Sequence, residues 1–257
     1  MAKVVLTILG SSAGMPQADR VNAGLVLTVG KRLILLDCGG GVSAAFRRNW
    51  FDPLEVERAI ITHTHPDHIS DLPLFVQMLY LADRREPFVI HLPSEVLMAM
   101  QDYFQALYLL REKLPFEIEF LPIPKETDIR AEGVTIHPIA NTHLHGYKPL
   151  IDEYHLPNKM QCYSLLITVE NKTILYSADL GSEKDVFPYL KNLDLLVIES
   201  THIDIERLFQ AVTLNKVNRV VLTHLTETYD GDAALAAAQK AGLGNVTLAT
   251  DGMRIEV

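Results

Sequence analysis

The order of hydrophobic patterns along the sequence predicts an α/β (α+β) fold, arranged as a four-layer αββα sandwich. The chain has 257 residues, 48% of them hydrophobic, which is enough to bury a large core. Strand-like runs come first, helical runs follow, strand-like runs return, and the last third alternates between helix and strand. Two sheets with helices on their outer faces would satisfy this order, and we expect one domain over residues 1–257.

The first half of the chain opens with apolar runs that are typical of strands. Gly30 and Lys31 separate two of these runs and indicate a hairpin turn. The run "RAIITH" indicates a short buried strand that ends at a histidine. In order, the predicted elements are strands 3–9, 24–29 and 32–37, helix 41–49, strand 58–63, helix 71–83, strand 87–92, helix 94–113 and strands 116–121 and 133–139.

The second half begins with a segment, 141–161, that has no periodicity and is rich in polar residues, Pro and His. A loop of that length in a compact domain is usually functional or disordered. Asn171 marks the turn of another hairpin. The predicted elements are strands 163–169 and 172–178, helix 183–191, strand 194–199, helix 203–216, strand 219–223, helix 231–241 and strand 245–249.

Composition and charge disfavour several classes of protein. No apolar run reaches the roughly 18–20 residues of a membrane span, and the N-terminal "MAKVVLTILG" is more typical of a first strand than of a signal peptide. The two cysteines, Cys38 and Cys162, are too few for a disulfide framework, so we expect a cytoplasmic protein. The net charge of −9 disfavours a non-specific grip on nucleic acid, although a local groove could still be basic.

The segment "ITHTHPDHISDLP", residues 61–73, is the most informative stretch of the sequence. It places His63, His65, Asp67 and His68 within six positions, directly after an apolar run. Alternate residues at the end of a strand point the same way, so the first two histidines can share one target, and Pro66 then turns the chain. Imidazole and carboxylate suit Zn²⁺, and also Mn²⁺ or Fe²⁺. These four residues cannot close two metal sites alone, so further ligands should lie at other strand ends.

Polar residues at the ends of four other apolar runs meet that demand. They are Asp37 in "LILLDCGGG", His143 in "IHPIANTH", Asp179 in "ILYSADLG" and His224 in "VLTHL". Any one of them alone is more typical of an ordinary strand cap, but all of them beside the cluster indicate a metal site. For the remaining histidines at 91, 137 and 155 we expect surface or locally hydrogen-bonded positions and no ligand role.

This constellation resembles the metallo-β-lactamase superfamily across essentially the whole chain. The shared pattern is a strand-end Asp, the HxHxDH element, and then a His, an Asp and a final His. The resemblance implies the metallo-β-lactamase fold and two divalent ions, most readily Zn²⁺. The implied ligands are His63, His65 and His143 for one ion, Asp67, His68 and His224 for the other, and Asp179 bridging both, with Asp37 orienting a ligand. His145 remains an alternative to His143.

Three further stretches resemble ribonuclease Z and its phosphodiesterase relatives within that superfamily. They are "LGSSAGMPQADRVNAGLVL", "DCGGG" and "LTHLTETYD". In addition, "VIESTHIDIERL" supplies Glu199 and His202, which the resemblance implies to be a catalytic pair that can protonate a leaving oxygen. The alternative is that Glu199 bonds a helix N-terminus and His202 only begins that helix.

These resemblances imply a phosphodiesterase that uses a metal-bridging hydroxide, oriented by Asp67, on a small or nucleotide-like phosphodiester. The sequence between His143 and Asp179 lacks the long arm by which tRNA-processing members hold tRNA, so tRNA is not expected. The alternatives are a ribonuclease Z-type tRNA 3′ endonuclease, a lactonase or a sulfate-ester hydrolase on the same site, or a non-catalytic metal- or RNA-binding relative. By analogy the protein could be a homodimer, and no membrane partner is expected.

Overall fold

The computed structural model describes residues 3–125 and 127–257. The strands are β1 (Val4–Gly10), β2 (Gly24–Val29), β3 (Arg32–Leu36), β4 (Val56–Ile60), β5 (Phe88–Leu92), β6 (Ile118–Pro122), β7 (Ile129–Ala131), β8 (Val134–Ala140), β9 (Tyr163–Val169), β10 (Lys172–Tyr176), β11 (Leu195–Glu199), β12 (Val220–Thr223), β13 (Val246–Leu248) and β14 (Arg254–Glu256). The helices are α1 (Val42–Arg48), α2 (Pro66–Ile69), α3 (Leu72–Leu81), α4 (Leu97–Ala106), α5 (Lys148–Glu153), α6 (Ile205–Asn215) and α7 (Gly231–Lys240).

The chain divides into two compact units, each with its own mixed sheet. The first unit comprises residues 3–123 and 250–256. Its sheet has the order β14-β1-β2-β3-β4-β5-β6. Pairing is antiparallel from β14 to β3 and parallel from β3 to β6. The predicted hairpin is confirmed, since Gly30 lies in the turn between β2 and β3.

The second unit comprises residues 124–125, 127–249 and Val257. Its sheet has the order β13-β12-β11-β10-β9-β8-β7. Pairing is antiparallel from β7 to β10 and parallel from β10 to β13. Asn171 lies in the turn of the β9–β10 hairpin, as predicted. The α/β class, with two mixed sheets flanked by helices, is therefore confirmed.

In each unit a hydrophobic core lies between the sheet and its own helices. In the first unit, Leu33 and Leu35 of β3 pack in one cluster with Phe46 of α1 and Phe75 of α3, whose rings meet edge to face at 5.2 Å. In the second unit, Leu175, Leu196 and Leu222 of neighbouring strands share a cluster with side chains of α6 and α7. This burial of alternating strand residues fixes the register of each sheet and therefore the positions of the strand ends.

The parallel strands place the polar strand-end residues together within each unit. In the first unit, β3 and β4 are parallel neighbours, and Asp37 and the histidine cluster follow their carboxyl ends. In the second unit, β10, β11 and β12 are parallel neighbours. Asp179 follows β10, Glu199 is the last residue of β11, and His224 follows β12. Since the carboxyl ends of parallel strands share one edge of a sheet, each unit gathers its own polar residues at one edge.

Three predicted elements differ from those observed. The helix expected at 94–113 is a short 3₁₀ turn (Ser94–Val96) followed by α4, and it ends before Tyr108, whose φ of 60° is left-handed and incompatible with a helix. The helix expected at 183–191 is two 3₁₀ turns, Glu183–Asp185 and Phe187–Tyr189, because Pro188 removes a backbone donor. The segment 141–161 contains a 3₁₀ turn and α5 rather than only loop.

Three short helices and strands were not predicted from the sequence. The helix α2 and the strands β7 and β14 have only three or four residues each, too few to show a period. Over the described residues, none of the helices has the length and apolar character needed to cross a membrane.

His91 corrects one expectation, because it is buried inside β5 rather than at the surface or locally hydrogen-bonded. Neither ring nitrogen makes a hydrogen bond of good geometry with a described residue. Burial, together with the nearby Arg58 guanidinium, lowers the pKa of His91 from 6.5 to about 4. The other two histidines fit the expectation, since His137 bonds Asp128 at 3.0 Å and His155 is exposed.

Arg84 is a second buried polar side chain of the first unit. Its guanidinium donates to the carbonyl oxygens of Val56, Glu86 and Pro87 at 2.7–2.8 Å. A planar, five-donor group fits three separate carbonyls where an ammonium could not. Arg84 therefore ties the β4 segment to the residues that precede β5.

Candidate metal centre

The histidine cluster follows β4 and is shaped by one turn of helix. His65 is the N-cap of α2, Pro66 occupies its first position, and the amide of His68 donates to the carbonyl of His65 at 2.9 Å. Proline suits this position because its missing N–H would have no partner there. The turn brings His63 within 4.8 Å of His65 and 4.2 Å of His68, measured between ring centroids. The first unit thus brings the members of the HxHxDH element together.

Asp37 fixes the orientation of His68. It is fully buried, and its carboxylate lies 2.9 Å from Nδ1 of His68. Because a carboxylate accepts and cannot donate, Nδ1 carries the hydrogen and Nε2 carries the lone pair. The same carboxylate accepts from the amide of Thr62 at 2.7 Å and from its hydroxyl. Asp37 therefore holds both a candidate ligand and the residue before His63.

Two features of this unit were missed in the sequence. Thr62 connects the cluster to Asp37, and its hydroxyl also lies 3.3 Å from Nδ1 of His63. Gly39 lies so close to Asp67 that an added Cβ would meet the Asp67 carbonyl oxygen at 1.8 Å. The "DCGGG" element was therefore visible as a motif, but its packing role beneath the cluster was not. Thr62 belongs to no comparable motif, so the sequence did not indicate its contact with Asp37.

The loop 11–22 is fastened to the C-terminal segment of the same unit. The amide and hydroxyl of Ser11 donate to Oδ1 of Asp251 at 2.9 and 2.8 Å, and the amide of Val21 donates to Oδ2 at 2.6 Å. Arg20 in turn donates to the Ser11 hydroxyl at 2.7 Å. A Cβ added at Gly14 of this loop would lie 3.7 Å from Oδ2 of Asp67. Asp251 therefore sets the path of a loop that runs past a candidate ligand.

In the second unit, Asp179 lies between two histidines. Its two carboxylate oxygens lie 3.6 Å from Nε2 of His143 and 3.3 Å from Nε2 of His224. All three side chains are largely buried. His143, rather than the exposed His145, is the histidine that reaches this carboxylate. An aspartate with a histidine at each oxygen is suited to bridging two cations.

Polar neighbours within the second unit hold these ligands in place. The side chain of Asn141 accepts from the amide of His143 at 3.1 Å and donates to the carbonyl of Asp179 at 2.9 Å. The hydroxyl of Thr201 donates to the carbonyl of His224 at 2.8 Å and lies 3.2 Å from its Nδ1. Sequence reasoning missed both residues, since Asn and Thr are common at turns.

Left-handed backbone turns occur beside the candidate ligands. The φ angles are 59° at Asp37, 49° at Ala178 and 57° at His224. Such conformations are costly for residues other than Gly and persist where surrounding contacts impose them. Each marks the point at which a strand ends and the chain turns towards a polar side chain.

Glu199 and His202 form a pair next to these ligands. Oε1 of Glu199 lies 3.1 Å from Nδ1 of His202, and Oε2 accepts from the amides of Thr201 and His202 at 2.6 and 3.0 Å. Glu199 is buried, whereas the His202 side chain is 38% exposed. The His202 ring lies 4.9 Å from that of His143 and 5.9 Å from that of His224.

Each unit contributes His and Asp side chains of the kind that bind metal ions. Those of the first unit are His63, His65, Asp67 and His68, and those of the second are His143, Asp179 and His224. Glu199, His202 and His224 form a further group within the second unit. Cys38 does not join them, because burial raises the pKa of its thiol well above the usual value and keeps it neutral.

Tyr229 belongs to the "LTHLTETYD" loop that follows His224. Burial raises the pKa of its hydroxyl, and a hydrogen bond with Ser200 opposes that shift only in part. The phenol therefore stays protonated at neutral pH and serves as a hydrogen-bonding group rather than as a base.

Comparison with known sequences gives a consistent result. The model of the family described as "Beta-lactamase superfamily domain" matches residues 32–225. A ribonuclease Z of Alkaliphilus oremlandii is 32% identical over 120 residues, which cover 47% of this chain and 37% of that relative. A ribonuclease Z of Parabacteroides distasonis is 22% identical over an alignment of 307 positions that covers 100% of both chains.

Solved structures share the fold at low sequence identity. The metallo-beta-lactamase fold protein YhfI from Bacillus subtilis has a TM-score of 0.79 at 20% identity and covers 100% of both chains. The short form of human tRNase Z has a TM-score of 0.71 at 18% identity and covers 98% of each chain. A diphosphatase from the PhnP family has a TM-score of 0.70 at 15% identity, covering 99% of this chain and 98% of the other.

Proposed function

Because the chain belongs to the beta-lactamase superfamily, we propose that it is a metal-dependent hydrolase that cleaves a small or nucleotide-like phosphodiester. The expected membership and the metallo-β-lactamase fold are both confirmed by the family match and the fold comparisons. The observation that carries the proposed activity is the Glu199–His202 pair, whose partly exposed imidazole lies against the rings of two candidate ligands. The ribonuclease Z names of the relatives support a phosphodiester as the bond cleaved.

The donor chemistry of both units fits a divalent metal. The first ion would be held by His63, His65 and His143 and the second by Asp67, His68 and His224, with Asp179 shared between them. Imidazole and carboxylate suit Zn²⁺, and Mn²⁺ and Fe²⁺ are alternatives. Neutral imidazoles are required, and the hydrogen bond from His68 to Asp37 supports the tautomer that leaves Nε2 free to bind. When bound, such ions lower the pKa of water towards neutrality and polarise a phosphoryl oxygen.

The residues of the chain would then position the substrate and move a proton. The Glu199 carboxylate holds Nδ1 of His202, so Nε2 is the atom that can pass a proton to a leaving oxygen. The exposure of His202 leaves this nitrogen within reach of a substrate. Asp67 would orient the attacking water. The hydrogen bonds from backbone amides to Glu199 fix the carboxylate, which in turn fixes the imidazole.

The nature of the diester stays open within this proposal. The earlier expectation against tRNA is not supported, because the sequence relatives named above are ribonucleases Z and one solved neighbour is a tRNase Z. A small phosphodiester remains our preferred substrate, since residues 144–178 contain no long inserted arm. Lactone and sulfate-ester hydrolysis on the same site are tested by including a lactone and a sulfate ester with the phosphodiesters in one panel of substrates.

We also propose that residues 1–257 act as one domain and that the protein is a cytoplasmic homodimer. Light scattering after gel filtration tests the dimer.

Activity should be measured on bis-p-nitrophenyl phosphate with Zn²⁺ or Mn²⁺, before and after chelation. We expect His202→Ala to lower turnover about 10²–10⁴-fold while the metal content stays intact. His137→Ala is a matched control, since this partly exposed histidine of β8 bonds Asp128 within the same unit. Loss of metal in the His202 variant would instead make His202 a ligand. Absence of hydrolysis of every diester in the panel would overturn the proposed activity.

A further inference from the structure

The carboxylate of Asp185, in the 3₁₀ turn that follows Asp179, bonds two separate parts of the second unit. Its Oδ2 accepts from the amide of Gly181 at 3.0 Å and from the amide of Thr142 at 3.1 Å. The Thr142 hydroxyl donates to the same carboxylate, at 3.0 Å from Oδ1 and 2.9 Å from Oδ2. Thr142 directly precedes His143, and Gly181 lies two residues after Asp179. One side chain is therefore bonded to the segments of two candidate ligands.

The two segments come into close contact at Gly181. A Cβ added there would meet Oγ1 of Thr142 at 2.1 Å and the Thr142 carbonyl oxygen at 2.8 Å, so the contact requires glycine. Next to it, Nδ1 of His143 lies 3.4 Å from the carbonyl oxygen of Leu180, an acceptor that leaves the lone pair of the ring on Nε2. That Nε2 lies 3.6 Å from Oδ2 of Asp179. The contacts therefore continue from the backbone of the two segments to the facing ligand atoms.

A carboxylate suits position 185 because all the groups that bond it are donors. An ionised aspartate only accepts, and its two oxygens offer about four lone-pair sites. Two amides and a hydroxyl donate to these oxygens, and the amide of Ser182 lies 3.4 Å from Oδ2. Bonds to a charged acceptor are also stronger than bonds to a neutral one. Asparagine would turn an NH₂ group towards some of these donors.

Asn141 makes a second connection between the same two segments. Its side chain accepts from the amide of His143 and donates to the carbonyl of Asp179. Asn141 and Asp185 thus join the segments at two points. Two connections hold the spacing of a pair of segments, whereas one alone would allow them to rotate about it.

We propose that Asp185 is a positioning residue that sets the spacing between His143 and Asp179, and thereby the affinity of the proposed centre for a divalent ion. Asp185 acts through Thr142 and Gly181 rather than as a ligand. The inference rests on the proposed function, because it takes His143 and Asp179 as metal ligands. Partners that orient metal ligands typically change the affinity about 10–100-fold, and for a partner that acts through the backbone we expect the lower end of that range.

The test measures zinc affinity by competition with a chelating dye. Asp185→Ala should weaken Zn²⁺ binding about tenfold, and Asp185→Asn, which keeps one acceptor oxygen, should weaken it by a smaller factor. Urea unfolding in chelator identifies conditions in which each metal-free variant is fully folded, so that a loss of affinity is not a loss of folded protein. Under those conditions, an affinity of Asp185→Ala within about twofold of wild type would overturn the inference.

A double-mutant cycle tests whether Asp185 acts through Thr142. Thr142→Val removes the hydroxyl that bonds Asp185 and keeps the amide. Its effect on zinc affinity should disappear in the Asp185→Ala background, because the acceptor is already absent there. Additive effects of the two substitutions would assign them to separate causes and would count against the inference.

Glu183→Gln is the matched control, since it removes the other carboxylate of the same 3₁₀ turn. Glu183 is buried and accepts from the amide of Asp204, the N-cap of α6, at 3.2 Å. The control should keep the wild-type zinc affinity even where its stability falls. An equal loss of affinity in Glu183→Gln and Asp185→Ala would assign the effect to the turn as a whole and would refute the positioning role.

Failure of the inference and failure of the proposed function give different results. The affinity measurement needs no substrate, so a protein that binds zinc but cleaves none of the diesters refutes the proposed activity alone. Unchanged zinc affinity in Asp185→Ala, with hydrolysis of a diester by the wild-type protein, refutes the inference alone. A wild-type protein that binds no divalent ion refutes both.

Discussion

Replacing Asp37 with Asn tests whether a buried carboxylate sets the metal affinity of the proposed centre. The side chain keeps its size, and the retained oxygen can still accept from the Thr62 amide at 2.7 Å. The other oxygen, 2.9 Å from Nδ1 of His68, becomes an NH₂ group. Two donors would then face each other, and as long as the bond from the Thr62 amide is kept, the conflict is relieved when His68 moves its hydrogen to Nε2. That tautomer removes the lone pair with which Nε2 would bind a metal.

The size of the effect follows from these contacts. Loss of a partner that orients a ligand typically costs 10–100-fold in metal affinity, which corresponds to about 1.4–2.7 kcal/mol. Stability of the metal-free protein should also fall by about 1.5–3 kcal/mol, since the hydrogen bond that is lost involves a charged, fully buried group. We therefore expect Asp37→Asn to weaken both metal binding and folding, each by an amount that can be measured separately.

Competition with a chelating dye would give the metal affinity, and urea unfolding in the presence of chelator would give the stability. Asp71→Asn is the matched control, since Asp71 is also buried in the first unit but its carboxylate accepts from the Ser43 amide at 2.6 Å. The control should lose stability and keep its metal affinity. A metal affinity of Asp37→Asn within threefold of wild type, or an equal loss in the control, would refute the orienting role.

Three further outcomes are expected. His91→Leu should remove a sensitivity of the protein to acid. Because the folded pKa of His91, about 4, lies below the unfolded value near 6.5, the free energy of unfolding of the wild-type protein should fall by roughly 3 kcal/mol as the pH drops through that window. Urea unfolding of both proteins at pH 7 and pH 4 checks this. Asp251→Ala should lower stability by about 1–3 kcal/mol and expose the loop 11–22 to proteolysis, whereas the exposed Asp19→Ala should not. Arg84→Lys should cost about 2–4 kcal/mol in urea unfolding, because an ammonium cannot reach all three carbonyls; a loss under 0.5 kcal/mol would contradict this.

The residues at strand ends were predictable because the sequence changes character there. Asp37, Asp179 and His224 each lie at or just beyond the end of an apolar run, and such a change of character is visible without a structure. Thr62 and Asn141 were not predictable, since their role depends on which distant side chain lies opposite them. Their residue types are frequent in turns for local reasons.

The ends of the helices and the burial of single polar residues were harder to predict for a similar reason. No Gly or Pro marks the end of α4, and the chain leaves the helix through a left-handed Tyr108. His91 sits in an apolar strand between ordinary core residues, so its pattern is that of a strand whichever face it occupies. Tertiary packing decided both cases, and a single sequence carries little information about it.

The hydrogen bonds made inside each unit have a consequence for how an ion would be bound. His68 is already held by Asp37, His224 by Thr201, and the His143 segment by Asn141, without any contribution from a metal. Folding has therefore already met the entropic cost of ordering these side chains. These side chains are ordered within each unit before any ion binds, so in the proposed centre the energy of coordination would go into affinity and little of it would be spent on arranging ligands.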